Sequence, residues 1–437
     1  MLSRGRSLPV LLTDPVRRGP DRGTDRRITF GGLVVAIGFL AAALAAAALP
    51  PTVRRGTWLP LHLALAGGAT TAIAAILPFF VAALAVAPPA RPTLRLIGLA
   101  GVGGGALLVA LGRATGLDGM AVAGGLGFVV GILGVGASAW SSLGSATRPR
   151  RPATERAYAV GLVNVAIGAA IATLFLGGGD AALAAWGSLK PAHAWLNLFG
   201  FVVVVIAGTL LHLAPTIAGS RIRRRPSGTL AVTALAVAAP TVALGYALRV
   251  DLLVQVGAGG AIVGAYALTA HGIAAHRDRA GWTTEREWHD FTGGSLLIAP
   301  AWLLVATLVA GARVVSAGAD PSGWHLGDLV GPLVGGFVLQ VVLGALSHLL
   351  PSIGPGTPDR HAAQRQRLGW AARPRLAWWN VGVGVLSVST LADGSSGLSG
   401  GAGAVGVAAG AAMLAIGLGT TLVLLMVLLA SGLRDRR

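Results

Sequence analysis

The chain has nine histidines and no cysteine, so any metal or haem chemistry within it must run through imidazole. Imidazole ligates copper and haem iron through one ring nitrogen. Three of the nine, His62, His193 and His325, stand at the entrances of long apolar stretches, at intervals of 131 and 132 residues. Each stretch carries a proline further in, Pro78, Pro215 and Pro351, at intervals of 137 and 136. Two more histidines precede those prolines in related phrases, Leu211-His212-Leu213-Ala214-Pro215-Thr216-Ile217 and Ser347-His348-Leu349-Leu350-Pro351-Ser352-Ile353. The lack of cysteine excludes disulfides, Fe–S clusters, thiolate-ligated haem and a blue-copper centre formed by this chain alone.

These side chains must be positioned by membrane helices. The sequence is 54% hydrophobic and 11% charged, with a mean hydropathy of +0.73. A bilayer core needs roughly 20 apolar residues per helical span. Twelve such stretches are predicted: 28–49, 58–87, 94–112, 119–143, 157–177, 191–218, 228–248, 252–275, 291–316, 326–353, 376–393 and 402–431. The fold class is therefore an all-α integral membrane protein. One transmembrane domain, 28–431, lies between an Arg-rich tail, 1–27, and a short tail, 432–437. The many glycines suit close helix approach in lipid.

The net charge of +18 follows the same topology. With both termini in the cytoplasm, the inner segments hold 28 of the 34 basic residues. The outer ends hold only Arg54, Arg55, Arg113, Lys190, Arg249 and Arg313. That is the positive-inside distribution, and it places the chain in a cell (inner) membrane. No aromatic-interleaved basic face accompanies it, which argues against nucleic acid as a partner. The first 27 residues lack the apolar core and small-residue cleavage site of a signal peptide.

The twelve spans divide into three pseudo-repeats of four, about 28–143, 157–275 and 291–431. The first spans of units one and two share a phrase, Gly32 to Gly38 against Gly161 to Gly168. The second spans carry the histidines and prolines. In an alternating topology His62, His193 and His325 lie near the outer face. His212, 19 residues beyond His193, lies roughly 28 Å deeper, so His212 and His348 are expected near the inner face. Repeat units in membrane proteins usually meet at the functional site.

Twelve helices in three groups of four, with histidines entering the second and tenth, resemble subunit I of haem–copper oxidases and the NnrS-type membrane proteins. A nearer resemblance is to the membrane region that precedes copper nitrite reductase or multicopper oxidase domains in actinobacteria. It rests on His193 to Gly200, Gly208 to Thr216, Gly336 to Pro351 and Leu61 to Gly67. It implies a b-type haem or copper held by His62, His193 and His325. In the oxidases, low-spin haem takes imidazoles from the second and tenth helices, which here points to His62 and His325. Arg54 and Arg55 would then meet the propionates, and His193 would be a third ligand or a remnant copper ligand. Asn197 and Gln340 would orient imidazoles, and His212 and His348 are candidates for further metal ligation at the inner face. A separate copper oxidoreductase is the implied redox partner.

The sequence also departs from that pattern. The seventh span, 228–248, has no histidine, and Asn197 stands where the oxidases have a tyrosine one turn after a copper ligand. All three glutamates, Glu155, Glu285 and Glu287, fall in inner loops, and the aspartates fall in loops or near helix ends. A complete oxygen-reducing centre and proton pumping are therefore not expected, and whether the chain is an enzyme stays open. The same histidines also fit a cofactor-free reading, in which Trp58, Trp186, Trp195 and Trp324 form an interfacial aromatic belt around them. In that case the bundle is a channel, a small-solute carrier or an assembly scaffold.

Overall fold

A computed structural model describes residues 22–144, 152–279, 286–396 and 401–434. The expected tails up to residue 21 and from 435, the loop residues 145–151, 280–285 and 397–400, and the side chains of Glu287, His289 and Asp393 lie outside that description. Every long element is a helix, and no strand occurs among the described residues. Unit one comprises α1 (Arg22–Ala47), α2 (Trp58–Ala85), α3 (Pro92–Thr115) and α4 (Asp118–Leu143). Unit two comprises α5 (Pro152–Leu176), α6 (Asp180–Ala218), α7 (Pro226–Leu248) and α8 (Asp251–Arg277). Unit three comprises α9 (Arg286–Ala317), α10 (327–353), a short helix α11 (Pro358–Leu368), α12 (Ala372–Ser396) and α13 (Gly401–Arg434).

Eleven helices among the described residues are long and apolar enough to cross a membrane. The chain is a multi-pass membrane protein. α12 covers the weakly apolar stretch expected at 376–393 and is helical, yet it is not among the eleven. Two boundaries move outward. α1 starts at Arg22, so residues 22–27 of the expected tail belong to the first span, and α6 starts at Asp180 rather than near 191. Local chemistry sets several ends. Pro92 and Pro226 open α3 and α7, where a missing N–H costs nothing. Gly116 and Gly219 close α3 and α6 in the left-handed conformation.

The third and fourth helices of every unit form a hairpin packed along its length: α3 with α4, α7 with α8, α12 with α13. The units then join as a ring, through α4 against α5, α8 against α9, and α13 against α1. Inside it sit the second helices. Their most apolar windows are 72%, 83% and 94% buried in α2, α6 and α10, against at most 50% in the other spans. Leu126, Val130, Leu133 and Val237 point outward from the surrounding helices and are exposed, as lipid-facing side chains must be.

Candidate functional site at the ends of the second helices

Each second helix departs from α geometry at the same place. Its backbone is π-helical over Leu63–Ala69 in α2, Trp195–Val203 in α6 and Val330–Leu339 in α10. Such stretches are rare, usually single turns, and frequent at functional sites. One carbonyl in each takes a side-chain donor. Thr70 Oγ1 donates to Leu65 O at 2.9 Å, Asn164 Nδ2 to Gly200 O at 2.9 Å, and Trp379 Nε1 to Gly335 O at 3.1 Å. The three carbonyls are 135 residues apart in both steps. They provide a structural ruler for the repeat.

Against that ruler the histidines do not occupy matching places. His62 lies three residues before its carbonyl, His193 seven, and His325 ten. Each step is about one helical turn outward. The place of His193 is held by Trp58 in unit one and by Asp328 in unit three. Asp328 is buried and paired to Arg313, with Nη2 to Oδ2 at 2.7 Å. His325 falls between the 3-10 turn Pro321–Gly323 and the start of α10, and it is exposed. The near-constant sequence interval therefore conceals three different depths.

His62 and His193 share a different arrangement. His62 Nδ1 lies 2.8 Å from Trp58 O, and the ring stacks on Trp58 with centroids 4.1 Å apart. His193 Nδ1 lies 2.8 Å from Gly168 O on α5. A carbonyl only accepts, so both Nδ1 atoms carry the proton and both Nε2 atoms present a lone pair. Neither Nε2 has a hydrogen-bond partner among the described residues. Both rings are half-buried, and they lie close enough to interact electrostatically. Asn197 packs one turn below His193, its amide nitrogen donating to His193 O at 2.7 Å and lying 3.0 Å from Nδ1. Trp186, stacked on Phe175, flanks the same ring.

The remaining expected site residues lie elsewhere. Arg54 spends its guanidinium on the turn that joins α1 to α2, donating to Leu49 O at 3.1 Å and Gly56 O at 2.5 Å. Arg55 is exposed in the same turn, in the left-handed region at φ 52°. Gln340 is buried at the inner edge of the α10 π stretch, fifteen residues beyond His325, with no hydrogen-bond partner. Trp195, expected in an interfacial belt, is fully buried against Phe199 and faces Trp324.

At the inner ends, His212 Nε2 lies 3.0 Å from Thr154 Oγ1. Its electrostatic neighbour is the buried His271 of α8, which also feels Arg225. His348 is half-buried on α10, and His276 and His361 lie at inner helix ends. Among the described residues no group of three or more His, Asp or Glu is arranged to hold a metal ion.

Two charged arrangements escaped the sequence reading. Arg95 on α3 reaches into the bundle, 3.3 Å from Asp25 of α1, with both side chains over 90% buried. It also donates to Thr29 Oγ1 at 2.8 Å and to Ala75 O at 2.9 Å. The other is the Arg313–Asp328 pair. Both aspartates sit at helix ends, where sequence alone reads them as solvated. A visible signal was the arginine just inside each neighbouring helix end. Compared with known proteins, the chain matches no protein-family model and no curated sequence.

Proposed function

We propose that this chain is a haem- or copper-binding membrane protein of the haem–copper-oxidase-like type, using His62 and His193 as ligands. The observation that carries this reading is the pair of neighbouring imidazoles with Nδ1–H held by a backbone carbonyl and Nε2 left free. Ligating histidines are oriented in this way, because the second hydrogen bond fixes the tautomer and aims the lone pair. The residues fit a group that takes two imidazole ligands. They do not fit a haem held between His62 and His325, since His325 is exposed outside the helix. A bound haem or copper would supply one-electron transfer. The protein's own part is to hold two rings at the bundle's outer end, packed by Trp58, Trp186 and Asn197.

In this reading the chain sits in the cell membrane and supports electron transfer or nitrite and nitric oxide metabolism beside a separate copper oxidoreductase. It has no complete oxygen-reducing centre. The test is an absorption spectrum of the purified protein, oxidised and reduced, together with metal analysis. A Soret band or stoichiometric copper is expected. It should vanish in His62→Ala and in His193→Ala and persist in His325→Ala, with all three eluting as folded protein. Wild-type protein that takes up neither haem nor copper on reconstitution would overturn the proposal and leave a cofactor-free channel, carrier or scaffold.

A further inference from the structure

α9 and α10 approach closely at Gly344, where a Cβ would lie 2.8 Å from Ser295 Cβ and 3.5 Å from Ser295 Oγ. Gln340 is one turn from Gly344 on the same face of α10, and Thr292 is one turn from Ser295 on α9. These three polar residues are only 2%, 1% and 0% exposed for Gln340, Ser295 and Thr292. Neither atom of the Gln340 amide has a hydrogen-bond partner, and neither do Ser295 Oγ and Thr292 Oγ1.

Other helical hydroxyls in this chain solve that problem locally. Ser138, Thr173, Thr209 and Ser387 all donate to the carbonyl one turn before. Ser295 and Thr292 do not. Gln340 lies thirteen residues from the inner end of α10, roughly 20 Å along the helix, where lipid and apolar side chains offer no hydrogen bonds. Each unsatisfied group at that depth carries a large desolvation cost. Four such atoms along one seam call for a ligand that supplies donors and acceptors together.

We propose that the α9–α10 seam is a binding pocket for water, bridging Gln340, Ser295 and Thr292. The two hydroxyls and the amide offer both donors and acceptors without charge, which suits a small neutral hydrogen-bonding molecule. Buried water typically makes about three hydrogen bonds to groups of this kind. The pocket is independent of the histidine pair, which lies at the outer end.

Radiolytic hydroxyl-radical footprinting of the detergent-purified full chain tests it, with water itself as the probe. Buried side chains are modified when bound water lies beside them. Leu296 and Leu343 flank the seam and are almost fully buried, Leu40 is buried in unit one, and Trp370 is exposed in the turn before α12. Leu296 and Leu343 should be modified clearly faster than Leu40. In Gln340→Leu combined with Ser295→Ala their rates should fall to that of Leu40, with Trp370 unchanged. Equal rates for Leu296, Leu343 and Leu40 in wild-type protein would overturn the pocket, as would seam rates that survive the double substitution. Should the double variant misfold, the wild-type comparison still decides.

Discussion

At the scale of single residues, the outer and inner ends use polar atoms differently. At the outer end the imidazoles of His62 and His193 are held through one nitrogen, leaving the other free. At the inner end Arg95 is consumed by structure, bonded to Thr29 and Ala75 and paired with Asp25. Removing one member of a buried ion pair strands the other charge, at about 3–5 kcal/mol. Arg95→Ala should therefore lower stability by that order in a detergent melt. Replacing both partners, Asp25→Leu with Arg95→Met, should cost much less, because no charge remains buried. A double variant as unstable as Arg95→Ala would show that the loss is packing rather than charge. Asn197 is the matching case at the histidine pair. Asn197→Leu removes the donor to His193 O, and cofactor affinity should fall by roughly 10–100-fold without disappearing. Titration of apoprotein with haemin or copper measures it. Unchanged affinity would mean that Asn197 only packs.

At the scale of elements, the hairpins depend on backbone contact that glycine alone permits. A Cβ on Gly131 of α4 would collide with the backbone of Val102 and Gly101 on α3. Backbone cannot rotate away, so Gly131→Ala should destabilise by about 1–3 kcal/mol, as overpacking does. Gly104 faces open space on α3, and Gly104→Ala should be neutral or stabilising by up to about 1 kcal/mol through helix propensity. Comparing the two melting temperatures separates contact from composition. The spans themselves were legible because hydropathy and basic loops depend only on local residue type. The repeat was legible from Pro78, Pro215 and Pro351, whose bent turns recur. In all three, the carbonyl three residues before the proline accepts an extra donor: Arg95 at Ala75, Thr216 at His212 and Ser352 at His348. The π stretches were not legible. They arise where one helix accommodates an extra residue against its neighbours, and no residue type marks that in advance. The different depths of His62, His193 and His325 follow from those insertions and from the non-helical lead into α10. Sequence spacing could not reveal them.

At the scale of the whole molecule, three units close into a ring whose last joint is partly ionic and polar. Arg26 on α1 donates to Ile353 O, Ser352 O and Gly354 O at 2.7, 3.1 and 3.0 Å, capping the end of α10. A cation at a helix C-terminus meets the unpaired carbonyls and the negative end of the helix dipole. The joint therefore ties unit one to unit three at the arginine-rich end. The orientation of that end is the remaining consequence of the charge distribution, with 28 of 34 basic residues assigned inside. Because the chain contains no cysteine, a single introduced thiol reports its side without background. Ser322 is exposed between α9 and α10 at the histidine end, and Ser220 follows α6 at the arginine end. Ser322→Cys should react with a membrane-impermeant maleimide on intact cells. Ser220→Cys should react only after the membrane is opened. The opposite pattern would invert the topology, moving His62 and His193 to the cytoplasmic side and with them the compartment from which any redox partner must approach.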